Sequence, residues 1–324
     1  MNRRELGAFV ATLSLAVACK KTGGSGTLKI AVVPKGTTHE FWKAVHAGAE
    51  KAAKEAGVEI VWKGPLKEDD LKAQIDVVQT FTAQGVNGIV LAPLSDKALV
   101  GSVKAAVGQG IPVVIFDSDL AGSDHASFVA TDNRAAGRLA GEHLVKVLGG
   151  KGKVVVLRYQ EGSASTAHRE DGFLEYVRGE AVKKAPELQL VSTNQYGGAT
   201  TESALAKAES LLAAQNAGAG GVDGVFTPNE STTFGMLLAL QRTGLAGKVK
   251  PIGFDASDKL VEALRRGEIE GLVVQDPFKI GYLSVKTMAA HLRKEPVDKR
   301  IDTGAKLVTK ANVDTAEIQA LLHP

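Results

Sequence analysis

The sequence has one cysteine in 324 residues, Cys19. No disulfide can form within the chain, and no cysteine cluster can hold a metal. Aromatic residues are scarce at 5%, with two tryptophans. Neither sign of charge dominates: 39 basic and 36 acidic residues leave +3. The lysines are scattered along polar helix faces, so no basic stripe points to a nucleic-acid partner. After the first twenty residues no apolar run is long enough to cross a bilayer. Dinucleotide glycines are missing, since the loop after the first strand reads Pro34-Lys35-Gly36-Thr37-Thr38-His39 instead of Gly-x-Gly-x-x-Gly. The glycine-rich run at 149–153 precedes a strand, whereas a phosphate loop must follow one. Asp117-Ser118-Asp119 begins like a calcium loop, but Ala121 and Phe128 occupy positions that need oxygen ligands. Ser163 sits in Gly-Ser-Ala-Ser, not in a nucleophile elbow. The expectation is a chain with no cofactor, no metal site and no catalysis.

The N-terminus differs from the rest. Arg3 and Arg4 precede a short apolar run at 6–15, which suits the core of a secretory signal. Leu15-Ala16-Val17-Ala18-Cys19 then resembles the lipobox of bacterial lipoproteins. That resemblance implies a signal peptide at 1–18, lipidation of Cys19 and a flexible lipidated tether at 19–26. The protein would then sit in the periplasm or cell envelope, anchored to a membrane by its lipid.

From residue 28 onward, apolar strands and amphipathic helices alternate. Strands are expected at 28–33, 59–62, 88–91, 112–116 and 126–130. A helix at 134–148 leads into a second series, with strands at 153–157, 188–192, 224–227, 249–253 and 271–274. Strands this uniformly apolar are buried on both faces, which means parallel sheets. Both halves repeat strand–helix units at roughly thirty-residue spacing, the usual length of a βαβ unit. At 324 residues the chain exceeds a typical single domain. The fold class is therefore α/β, with two doubly wound parallel-sheet lobes.

In such sheets a ligand sits beyond the C-terminal ends of the strands. The residues there form a polar inventory: Lys35, Thr38 and His39, then Asp117, the stretch 158–166, Asn229, Glu230, Asp255 and Gln275. Asp117, Asn229, Asp255 and Gln275 can each bridge neighbouring hydroxyls, and Arg169 offers a planar fork of donors. Phe41 and Trp42 supply flat apolar surface for the C–H face of a ring. Phe41 falls on the apolar stripe of its helix and Trp42 lies off it. Asp132 and Asn133 are positioned to cap the helix that follows them.

His39-Glu40-Phe41-Trp42, Ile115-Phe116-Asp117, Ala130-Thr131-Asp132-Asn133, Arg169-Glu170-Asp171-Gly172-Phe173, Asn229-Glu230, Gly253-Phe254-Asp255 and Val274-Gln275-Asp276-Pro277 occur in this order. Together they resemble the periplasmic sugar-binding proteins of the ribose-binding type, which serve ABC transporters. The resemblance spans 28–308 and implies a type I periplasmic binding protein fold with a three-segment hinge. Crossovers would fall near 131–132, 275–276 and 303–304. An N-terminal lobe would then comprise 27–131 and 276–303, and a C-terminal lobe 132–275 and 304–324. The implied ligand-binding residues are His39, Phe41, Trp42, Asp117, Arg169, Asn229, Asp255 and Gln275. The implied partners are a monosaccharide or related small polar solute and a membrane permease, with the protein itself a monomer. Ser118 stands where ribose binders carry arginine, and Ala92 where they tend to carry asparagine. Fewer donors from the first lobe argue against ribose itself and leave a different pentose, hexose, polyol or related small molecule open.

Two rivals remain. A sugar-responsive repressor shares this core but needs a DNA-binding headpiece before the first strand, where this chain has a signal-like segment. A lipid-anchored sensor would bind the same solute and present it to a receptor.

Overall fold

The computed structural model describes residues 27–323; the signal-like segment, Cys19 and the tether lie outside the described residues. The first half runs β1 (Lys29–Val33), α1 (Glu40–Ala56), β2 (Glu59–Trp62), α2 (Leu71–Ala83), β3 (Gly88–Leu91), α3 (Val100–Gly108), β4 (Val113–Phe116) and β5 (Ser127–Ala130). The second runs α4 (Asn133–Val147), β6 (Gly152–Arg158), α5 (Ala164–Glu175), α6 (Val182–Lys184), β7 (Leu188–Tyr196), α7 (Thr201–Ala214), β8 (Gly224–Phe226), α8 (Glu230–Arg242), β9 (Lys250–Phe254), α9 (Asp258–Arg266) and β10 (Gly271–Gln275). The chain ends with α10 (Pro277–Leu292), β11 (Arg300–Asp302), β12 (Ala305–Val308) and α11 (Ala316–Leu322).

The strands form two six-stranded sheets, ordered β11-β5-β4-β3-β1-β2 and β12-β10-β9-β8-β6-β7. All pairings are parallel except β10 with β12. β3, β4 and β5 are buried at every position because helices cover both sides of their sheet. The pleat sends alternate residues to opposite layers. Ile30 and Val32 pack with α1 and α10, while Ala31 and Val33 pack with α2 and α3. In the second lobe Val154 and Val156 face α4 and α5, and Val155 and Leu157 face α7 and α8.

Each lobe pairs two helices through reciprocal glycines. A Cβ on Gly48 of α1 would lie 2.0 Å from the Phe278 carbonyl oxygen, and one on Gly281 of α10 would lie 2.0 Å from that of Val45. A Cβ on Gly137 of α4 would lie 1.9 Å from the Arg169 carbonyl, and one on Gly172 of α5 would lie 2.0 Å from that of Arg134. Backbone packs on backbone at both crossings, which only glycine allows.

The chain passes between the lobes three times. β5 leads into α4, β10 into α10, and β11 of one sheet into β12 of the other. At the hinge the Asp302 carboxylate accepts from the backbone N–H of Asp132 at 3.0 Å and of Gly304 at 2.9 Å. Asp132 and Asp276 each cap the helix that follows, accepting from Ala135 N and Lys279 N.

Several details differ from the sequence reading. The apolar pattern places a helix at 167–178, but α5 begins at Ala164, so Arg169 lies in its second turn. A π-helical stretch at Tyr176–Ala181 then continues α5 into α6. β7 reaches Tyr196, because bulges in its pairing with β6 extend the ladder past the apolar segment. β11 and β12 are edge strands carrying Arg300, Asp302 and Lys306, too polar to stand out. Asn133 does not cap α4; its side chain is buried and turned to Arg169.

Candidate ligand-binding site

Both sheets present their C-terminal strand ends to one narrow cavity between the lobes. Its walls include all eight side chains expected from the sequence: His39, Phe41, Trp42, Asp117, Arg169, Asn229, Asp255 and Gln275. The same walls carry Lys35, Glu68, Tyr159, Ser165, Thr166 and Glu230.

The two sheets use the same device to aim a carboxylate. Asp117 follows β4 with φ of 59°, and Asp255 follows the equivalent β9 with φ of 65°. Aspartate tolerates the left-handed region better than most residues, and such strain concentrates at functional positions. Each aspartate N–H donates to the next strand at 2.9 Å, to Val129 and Val273 respectively.

In the second lobe the polar groups hold one another. Arg169 is 2% exposed. Its Nε donates to Asn133 Oδ1 at 2.8 Å and its Nη1 to the Pro228 carbonyl at 2.9 Å, with the guanidinium 4.4 Å from the Phe254 ring centre. The Asp255 carboxylate accepts from Gln275 Nε2 at 2.7 Å and from Glu230 N at 3.0 Å. Burial raises the Asp255 pKa, opposed by Arg169 and by the Gln275 hydrogen bond. Burial also raises that of Glu230, with His39 opposing and Asp255 reinforcing. Asn229 caps α8, its Oδ1 accepting from Thr232 N at 3.3 Å, so much of its capacity serves the helix. Gln275 Oε1 is buried and accepts no hydrogen bond among the described residues.

The first lobe brings different chemistry. Trp42 is buried between two rings, edge-on to Phe41 at 4.9 Å and to Phe116 at 6.1 Å. Phe41 is only half-buried: Val45, Ala49, Ala52 and Ala56 keep the apolar stripe of α1, but at its first turn Trp42 packs on the core and Phe41 flanks it. His39 precedes α1 without capping it and instead pairs with Glu68 at 3.1 Å. Burial works to lower the His39 pKa, but the hydrogen bond and charge of Glu68, with Glu230 and Asp255, raise it to about 9. Burial works to raise the Glu68 pKa, but the His39 hydrogen bond and charge, with Lys35 and Trp42, hold it at about 2. Lys35, 3% exposed, lies 3.3 Å from Asp117 Oδ2.

Direct contacts join the two halves. Lys35 Nζ donates to Ser163 Oγ at 3.1 Å and to Ser165 Oγ at 3.0 Å. Ser165 N donates to Ser118 Oγ at 3.1 Å, and Phe41 N to Glu230 Oε2 at 3.2 Å. Lys35, Tyr159, Ser165, Thr166 and Glu230 stood in strand-end positions where sequence already pointed. Glu68 did not, because it lies in the loop after the edge strand β2, six residues past Trp62. Among the described residues no cluster of His, Cys, Asp and Glu could hold a metal, and no helix is long and apolar enough to cross a membrane.

Residues 30–296 match the periplasmic binding protein domain. The ribose import binding protein of Escherichia coli is 28% identical over 317 residues, covering 96% of this chain and 100% of that protein. A carbohydrate transporter solute-binding protein from Agrobacterium radiobacter, solved with D-arabinose, superposes with a TM-score of 0.86 at 34% identity, covering 92% of this chain and all of that one. An ABC transporter solute-binding protein from Agrobacterium vitis with bound D-fucose gives 0.85 at 36% identity, covering 91% of this chain and 100% of that chain.

Proposed function

This chain belongs to the periplasmic binding protein family, among its ribose-type sugar-binding members, and on that premise we propose that it closes its lobes around a neutral monosaccharide and delivers it to an ABC-transporter permease. The observation that carries this reading is the shared cavity, where strand ends of both sheets converge and Gln275 Oε1 waits, buried, for a donor. A buried acceptor left without a partner costs about 1–3 kcal/mol, which a sugar hydroxyl offsets. The walls carry three cations, Lys35, His39 and Arg169, against four carboxylates, Glu68, Asp117, Glu230 and Asp255. That balance gives no excess positive charge for a sugar acid or phosphate, and the mixture of donors and acceptors suits hydroxyls. Trp42 and Phe41 give the ring a flat apolar edge.

The lobes in this reading are 27–131 with 276–303 and 132–275 with 304–324, and sheet membership supports that division. Closure stabilises the bound form because ligand contacts come from both lobes. Cys19 carries the lipid that holds a monomer at the envelope membrane, supported by the motif around it.

Thermal unfolding of the chain from Thr27 onward, against pentoses, hexoses, polyols and amino acids, tests this function. A sugar at a thousand times its dissociation constant adds about 4 kcal/mol of stability. The expected result is a shift with a sugar that Asp255→Ala abolishes. A shift with amino acids and none with any sugar or polyol overturns the sugar reading.

A further inference from the structure

Glu68 is a buried carboxylate from an edge loop, and the sugar reading uses only its charge. Burying such a group unaccompanied is costly, so its partners define its task. The two oxygens divide between the lobes. Oε1 accepts from Trp42 Nε1 at 2.5 Å and faces His39 Nδ1 at 3.1 Å, both within the first lobe. Oε2 accepts from the Tyr159 hydroxyl of the second lobe, and the Glu68 backbone carbonyl accepts from Gln160 Nε2 at 2.9 Å. Gly36 leaves room for this, since a Cβ there would lie 2.9 Å from Glu68 Cγ.

We propose that Glu68 is a positioning residue that clasps the two lobes through Tyr159 and, with the same carboxylate, sets the orientation of Trp42 and His39 against the ligand. The inference rests on the cavity being the sugar site. Tyr159 and Gln160 leave the end of β6 in one lobe and Glu68 leaves β2 in the other, so their contacts exist only when the lobes meet. The indole has a single donor, and Glu68 takes it. Closure therefore completes the carboxylate that fixes Trp42. Burial, reinforced by Glu68, pushes the Tyr159 hydroxyl up, so it remains protonated and able to donate.

The test uses Trp42 as its own reporter. Trp62, which stacks on His46 away from the cavity, is replaced in a Trp62→Phe background so that emission comes from Trp42 alone. Tyr159→Phe removes only the hydroxyl and keeps the ring, while Glu68→Gln removes the charge and keeps the shape. Calorimetry with D-arabinose, D-fucose and D-ribose, with Trp42 emission recorded before and after sugar, gives two readouts. Tyr159→Phe is expected to weaken sugar affinity about tenfold to a hundredfold, the range for a hydrogen bond to a charged group. It should also shift Trp42 emission, with unfolding temperature little changed. The double variant should bind no worse than Glu68→Gln alone, since both changes act through one contact. Tyr159→Phe with wild-type affinity and wild-type emission overturns the clasp, as do strictly additive losses. If the unaltered chain binds none of the sugars, the functional reading fails. The same two readouts are then taken with whichever polyol or amino acid of the thermal-unfolding panel shifts the chain, and Tyr159→Phe matching the parent there in affinity and emission overturns the clasp.

Discussion

The two lobes share a plan and differ in how each prepares its half of the site. Strand order, the left-handed aspartate after β4 or β9 and the glycine-paired helices recur in both. In the second lobe Arg169, Asn133, Asp255 and Gln275 bond to one another and to nearby backbone, so their geometry is set before any ligand arrives. In the first lobe Lys35 and Glu68 find half of their partners across the cleft, on Ser163, Ser165 and Tyr159. On the closure proposed above, the second lobe is a prebuilt platform and the first acquires its final form as the lobes meet. Preorganised groups cost less to bind against, which makes the second lobe the natural first landing for the sugar.

The sharpest way to break this contrast is at the platform. Arg169→Ala leaves the Asn133 and Pro228 oxygens without a donor and Asp255 without its neighbouring cation. It should cost about 3–5 kcal/mol of folding stability as well as sugar binding, read by urea unfolding. An unchanged denaturation midpoint contradicts the prebuilt platform.

Acidity separates the lobes next. The His39 pKa is raised from 6.5 to about 9, so its contribution is fully present below pH 6.5 and is lost as pH rises through 9. The Glu68 pKa is lowered from 4.5 to about 2, so its contribution is present above pH 4.5 and lost as pH falls through 2. Both shifts describe one pair, worth on the order of 3 kcal/mol counted once. Asp255 and Glu230 have raised values and work opposite to Glu68: their burial penalty is relieved as pH falls from their folded pKa toward the ordinary carboxylate value. In Glu68→Gln the loss of stability between pH 6.5 and 9 should flatten; an unaltered alkaline limb in that variant removes the pair from the account.

The glycine crossings come third. Gly48→Ala and Gly137→Ala each force a methyl against a backbone carbonyl, and each should destabilise by about 1–3 kcal/mol in thermal unfolding. Gly137→Ala should also weaken sugar binding, because the carbonyl it strikes belongs to Arg169. Equal affinity in that variant and the parent breaks the link between the α4–α5 crossing and the site. The smallest effect is expected at Asn229→Ala, which removes the α8 cap for about 1 kcal/mol. A loss several times larger would mean that Asn229 serves chiefly the cavity.

These comparisons also show what the sequence makes legible. Asp117, Asp255 and Gln275 could be located because an apolar strand ends just before each, and a doubly wound sheet places ligands there. Arg169 was harder, since it lies a turn into α5; the family pattern identified it. The edges of the fold were less visible. β11 and β12 are short and charged, and the antiparallel turn of β12 depends on its sheet partner more than on its composition. The reciprocal glycines look like ordinary helix residues until two helices are laid together. Periodicity put Phe41 on the buried face, but the packing partner of Trp42, Phe116, comes from β4, far along the chain. Glu68 escaped for the same reason: its partners lie at positions 39, 42 and 159, and no local pattern joins them.

The central claim is that a sugar draws a loosely prepared first lobe onto a prepared second one. Small-angle X-ray scattering of the chain from Thr27, with and without a saturating sugar that calorimetry shows to bind, tests it most directly. The account predicts a smaller radius of gyration with sugar, and a smaller contraction in Tyr159→Phe at the same sugar concentration. Superimposable profiles with and without bound sugar would contradict it.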